Sequence, residues 1–145
     1  MGRRLQRWRA LSRADRGRLL ACLAGLWTLH ASLALAGYRR TRACVERLSR
    51  HPRPRPASAA DLDAARALAR LAASAGHHGM GPATCLRRAL LLHGWLRRRG
   101  LDPVLQFGLP ANAPAPVAGA FSAHAWVELE GQRLLDADAG YRPFA

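Results

Sequence analysis

Leu19 to Gly37 runs L-L-A-C-L-A-G-L-W-T-L-H-A-S-L-A-L-A-G, nineteen positions without a charged side chain. A run that long and apolar must be hidden from water, and few folds offer it a place. It is long enough to cross a bilayer. A basic start, an apolar middle and Ala34-Leu35-Ala36 also give it the form of a secretory signal. Thr28, His30, Ser32 and two glycines dilute its hydropathy, and arginines flank both ends, so charge gives it no orientation. Three readings stay open: a helix buried in the protein or at an interface, a helix at the membrane, and a cleaved signal.

Charge divides the chain. All 23 basic residues are Arg. Residues 1–55 hold fourteen of them against two acids, Asp15 and Glu46, a balance of +12. Residues 56–145 hold nine against seven acids, a balance of +2. The basic character therefore belongs to an N-terminal region, 1–55, and not to the region 56–145. Trp8 sits among the first arginines, which suits a nucleic acid. No recognised nucleic-acid module accompanies them, and no glycine-rich phosphate loop is present.

Local signals order the rest. Ser12-Arg-Ala-Asp15 has capping-box form and predicts a helix from about Arg13. Tyr38 to Arg50 continues as helix, with Ala43, Val45 and Leu48 turned inward. His51-Pro-Arg-Pro-Arg-Pro56 ends it as a short stiff connector. Ser58-Ala-Ala-Asp61 opens another helix to about Ala75, with Leu62, Ala65, Leu68, Ala69 and Ala72 along one side. Gly76 to Gly81 is a loop. Pro82 and Thr84 then start a helix that Gly100 stops, after an Arg run in its last turn. Beyond Gly100 the period changes to that of strands: Val104–Phe107, Phe121–Leu129 and Gln132–Asp136, with a long Pro/Ala/Gly loop from Leu109 to Gly119. Helices first and an antiparallel sheet after give an α+β fold.

Cys85 falls in the first turn of the third helix. Backbone N–H groups there lack partners and carry partial positive charge, so an anionic sulfur is favoured at that end. A free cysteine is as often simply packed. The three cysteines, Cys22, Cys44 and Cys85, cannot all pair and show no C-x-x-C spacing, which fits a reducing compartment and argues against a structural zinc site. His77, His78 and His93 match no zinc spacing and read as loop and helix-surface residues.

The last two strands flank Leu129-Glu130-Gly131, and a three-residue turn with Gly131 in third place sets a register. Glu128 then faces Gln132, Trp126 faces Leu134 and His124 faces Asp136, with Cβ atoms about 5 Å apart. A carboxylate beside an imidazole fixes its tautomer and stabilises its protonated form. Cys85, His124 and Asp136 are thus candidates for nucleophile, base and orienting acid. Asp138 has the same side-chain parity as Asp136. Gln106 is a candidate oxyanion donor, and Trp126, on the face of His124, a wall of the cleft or part of the core.

T-C-L-R-R-A-L-L-L, a helix ending R-R-R-G, then F-S-A-H-A-W-V-E-L-E-G and L-L-D resembles the lasso-peptide biosynthesis protein B family, in its stand-alone cysteine protease form. The likeness covers most of residues 60–145; the N-terminal part resembles the family only in character. The resemblance implies a transglutaminase-like or papain-like core, with a catalytic helix on a small antiparallel sheet. It implies Cys85 as nucleophile, His124 as general base and Asp136 as its orienter, with no cofactor and no metal. The implied activity is removal of the leader from a ribosomally made precursor, in the cytoplasm. The implied partners are the leader peptide, a separate winged-helix recognition protein and a lasso cyclase that closes the ring, but no nucleic acid. Association with the membrane through residues 19–37 stays open, as does a non-catalytic scaffold of the same fold.

Overall fold

The computed structural model describes residues 12–78, 84–110, 123–135 and 140–143. Their order is α1 (Arg13–Leu48), α2 (Ala59–His78), α3 (Cys85–Arg98), β1 (Val104–Pro110), β2 (His124–Leu129), β3 (Gln132–Arg133) and β4 (Tyr141–Pro143). The strands form one antiparallel sheet in the order β3-β2-β1-β4. The fold is α+β, three helices and a small four-stranded sheet.

Both predicted capping boxes form. The Ser12 hydroxyl accepts from the Asp15 amide at 3.1 Å and donates to its carboxylate at 2.7 Å. Ser58 and Asp61 exchange the same bonds, and the Asp61 carboxylate also accepts from the Ser58 amide at 2.9 Å. Arg55 grips that carboxylate with two nitrogens, at 2.7 and 3.0 Å, and so ties the proline connector to the start of α2.

The long first helix is not one rod. Gly37 has φ 74° and ψ 173°, outside helical values. Ser32 and Thr41, nine residues apart, hydrogen-bond through their hydroxyls at 2.8 Å. On a straight helix they would be about 13 Å apart along the axis. The chain therefore folds back at Gly37 into two arms. On the second arm Thr41 and Ser49 are buried, while Ala43 and Leu48 are exposed. The inward face is thus not the one that apolar residues alone suggest. Ser49 satisfies its hydroxyl on the Val45 carbonyl at 2.6 Å.

Two apolar clusters make the core. The first arm of α1 packs Cys22, Leu26 and Leu29 on Ala72 and Ala75 of α2 and on Leu90 and Leu91 of α3. Ala65, Leu68 and Ala69 of α2 join Ala89, Leu92 and Leu96 of α3 and Ala125, Trp126, Val127 and Leu129 of β2 in the other. Leu86, Trp95 and Leu105 touch both. Helix α3 is the central element, and its first residue is Cys85.

Candidate active site

Cys85 follows the N-cap residue Thr84, whose side chain caps no amide among the described residues. The thiol is half-buried, and its sulfur lies 4.0 Å from the carbonyl oxygen of Ala123, as donor to it. Ala123 immediately precedes His124, the first residue of β2. The fold thus brings the start of α3 against the start of the strand that carries the histidine, across 38 residues of sequence. The other two thiols differ. Cys22 is fully buried, and burial pushes its thiol up to about 11; Cys44 is exposed.

The hairpin departs from the expected register. Glu128 pairs with Arg133 and Leu129 with Gln132, so the turn has two residues, Glu130 and Gly131. Both have positive φ, 49° and 71°, as a type I′ turn requires. Glu130 holds this conformation although it is not glycine, and its carboxylate accepts from the Ala57 amide at 2.8 Å. The pairing that set His124 opposite Asp136 therefore does not hold. Asp136 and Asp138 lie outside the described residues, and the role of Asp136 rests on the family resemblance. The described part of β3 ends at Arg133, although Leu134 still donates to the Val127 carbonyl at 2.9 Å.

The register between β1 and β2 places His124 opposite Gly108 and Trp126 opposite Gln106. Gln106 thus shares the face of Trp126 and His124, two pairs along from the histidine's own partner. Gly108 also pairs with Pro143 of β4, and Pro110 with Tyr141. A Cβ on Gly108 would strike the Arg142 backbone and come within 2.7 Å of the Trp126 ring. The glycine leaves a gap in the middle strand, and aromatic rings close over it. His124 stacks on Tyr141, with ring centroids 4.4 Å apart and planes 20° from parallel. Strands β2 and β4 are two strand spacings apart, about 10 Å, so the rings can meet only by leaning across β1.

The Trp126 ring is also near the imidazole, its centroid 6.3 Å away and its plane 21° from parallel. It is fully buried, and its indole N–H donates to Glu128 at 2.7 Å. The Arg133 guanidinium caps the indole at 4.2 Å and donates to the Tyr141 carbonyl at 3.5 Å. Trp126 is therefore a core residue that also supports the histidine. Tyr141 and Arg133 carry no sequence signal for this role: β4 is three residues long, too short to show a period, and was not foreseen. The glycine in a strand, Gly108, is the one available pointer.

His93, read from the sequence as a helix-surface residue, is buried at 5 % exposure, and among the described residues its Nε2 has no hydrogen-bond partner. Burial and the neighbouring Arg97 push its pKa down to about 4.

A cysteine at a helix start, laid on an antiparallel sheet beside a strand histidine, is the layout of thiol-dependent acyl-transfer enzymes. The chain belongs to the transglutaminase-like superfamily, whose model matches residues 25–145, and cysteine peptidases and transglutaminases are common among its members. No curated protein and no solved structure matches the chain significantly.

Proposed function

We propose that the protein is a cysteine peptidase that removes the leader from a lasso-peptide precursor. The observation that supports this reading best is the approach of the Cys85 thiol to the start of the His124 strand. In the reaction, His124 takes the Cys85 thiol proton and the sulfur attacks the carbonyl carbon of the scissile bond. The tetrahedral oxyanion takes donors at the start of α3, where amides have no partner within the helix. His124 gives a proton to the departing amine, which leaves with its half of the peptide. It then takes a proton from water, whose oxygen attacks the thioester and frees the Cys85 sulfur. Asp136 orients the imidazole, the role that the family resemblance assigns to it. A separate winged-helix protein delivers the leader, and a cyclase closes the ring on the freed core peptide.

The test is leader cleavage, followed by mass spectrometry, with precursor and recognition protein supplied. Cys85→Ala abolishes cleavage and leaves precursor binding intact. Cleavage that survives this substitution rules out the assignment. A folded wild-type protein that binds precursor and never cleaves it supports the scaffold reading.

A further inference from the structure

We propose that the outward face of the first arm of α1 lies flat on an anionic lipid surface. The arm has two faces. Cys22, Leu26 and Leu29 point into the core. On the opposite side, at helical spacing, Leu20, Ala24, Trp27, Ala31 and Leu35 are exposed, Leu35 at 89 %, Leu20 at 54 % and Trp27 at 49 %. The stripe extends from Gly17 to Leu35, about 27 Å along the helix. It carries no charge. Thr28, the hydroxyl residue on it, donates back to the Ala24 carbonyl at 2.9 Å and needs no water. The helix is long and apolar enough to cross a membrane, yet only 17 % of its apolar stretch is buried.

The arm does not stand across the bilayer. Upright insertion would strip Cys22, Leu26 and Leu29 from Ala72, Ala75, Leu90 and Leu91, and the chain already folds back at Gly37. Lying flat keeps the core and covers the stripe. The charges around it select lipid. Arg13 and Arg18 stand at one end and Arg39 and Arg40 beyond the other, all exposed. The helix has two acids. Asp15 pairs with Arg18 at 3.5 Å and Glu46 with Arg42 at 2.8 Å. Among the described residues, Arg13, Arg39 and Arg40 have no carboxylate partner. A bilayer surface meets this layout at once, with acyl chains beneath the stripe and phosphates beside the guanidinium groups. Trp27 sits in the stripe as an interfacial anchor.

Co-sedimentation of the full-length protein with phosphatidylcholine vesicles, with and without phosphatidylglycerol, tests this. The protein binds the anionic vesicles and only weakly the zwitterionic ones. The Leu20→Glu/Trp27→Glu double variant stays in solution with an unchanged circular dichroism spectrum. Arg39→Ser and Arg40→Ser each weaken binding about fivefold, and salt weakens it further. Indifference of the wild type to anionic vesicles overturns the proposal, as does a double variant that still binds. So does a wild type that dimerises without lipid, through contacts Trp27→Glu breaks, and ignores vesicles; the face is then a protein interface. Leader cleavage in lipid-free solution is unchanged in the double variant, so this proposal and the peptidase reading fail separately.

Discussion

Replacing His93 with leucine tests whether the buried imidazole sets the acid limit of the fold. His93 sits on α3 with its Nε2 unpartnered among the described residues, and Arg42, Glu46, Arg97 and Asp102 act on it electrostatically. Burial is the largest influence and lowers its pKa from 6.5 to about 4. The folded state therefore binds this proton less readily than the unfolded chain. Above pH 6.5 both states hold a neutral imidazole and the difference vanishes. As the pH falls toward about 4 the unfolded chain takes up the proton first, and stability drops. The full gap is worth about 3 kcal/mol, a large share of what a small domain has. The assay is urea unfolding followed by far-UV circular dichroism, at a series of pH values for both proteins. Other groups titrate in this range, so the quantity to read is the difference between the two curves. His93→Leu should gain on the wild type by about 3 kcal/mol between neutral pH and pH 4. A difference that stays flat with pH refutes the reasoning, whatever the absolute stabilities.

Iodoacetamide at neutral pH should modify Cys85 and leave Cys22 untouched in the folded protein, as read by peptide mass spectrometry; Cys22 is buried and its thiol sits near 11. His124→Ala should lower kcat for leader cleavage by about 10²- to 10⁴-fold while precursor affinity holds. Tyr141→Phe should keep the ring stack and the activity, whereas Tyr141→Ala should cost up to about tenfold in kcat/KM, at the stacking energy of about 1 kcal/mol. Gly108→Ala should destabilise by about 1–3 kcal/mol and lower Tm, because its Cβ meets the Arg142 backbone and Trp126.

Much of the fold was legible because its signals are local. Two Ser-x-x-Asp boxes, the proline connector and Gly100 mark helix ends through backbone chemistry that acts within four residues. Cys85 was legible for the same reason, as the first residue after Thr84. What failed depended on partners distant in sequence. The hairpin register turned on whether Glu130 would accept a positive φ, and a bond to Ala57, 73 residues away, accompanies it. His93, two turns into its helix and matching no zinc spacing, read as surface, yet it is buried, and Arg42 and Glu46 of the second arm of α1 act on it electrostatically. The return of the chain at Gly37 is written in one glycine among many. The stack on His124 needed β4, whose three residues declare nothing alone.

That short strand has a consequence for how the site breathes. The middle turns of α3 reach into both apolar clusters, so exposing their amides requires unfolding the whole domain, and their hydrogen exchange should report the global free energy. Strand β4 lies at the sheet edge and, among the described strands, pairs with β1 alone. Its amides should exchange by a cheaper, local opening. Each opening withdraws Tyr141 from the imidazole while Cys85 stays where α3 holds it. Cys85 thus sits on the helix that opens last, and the ring stacked on His124 sits on a strand that opens early.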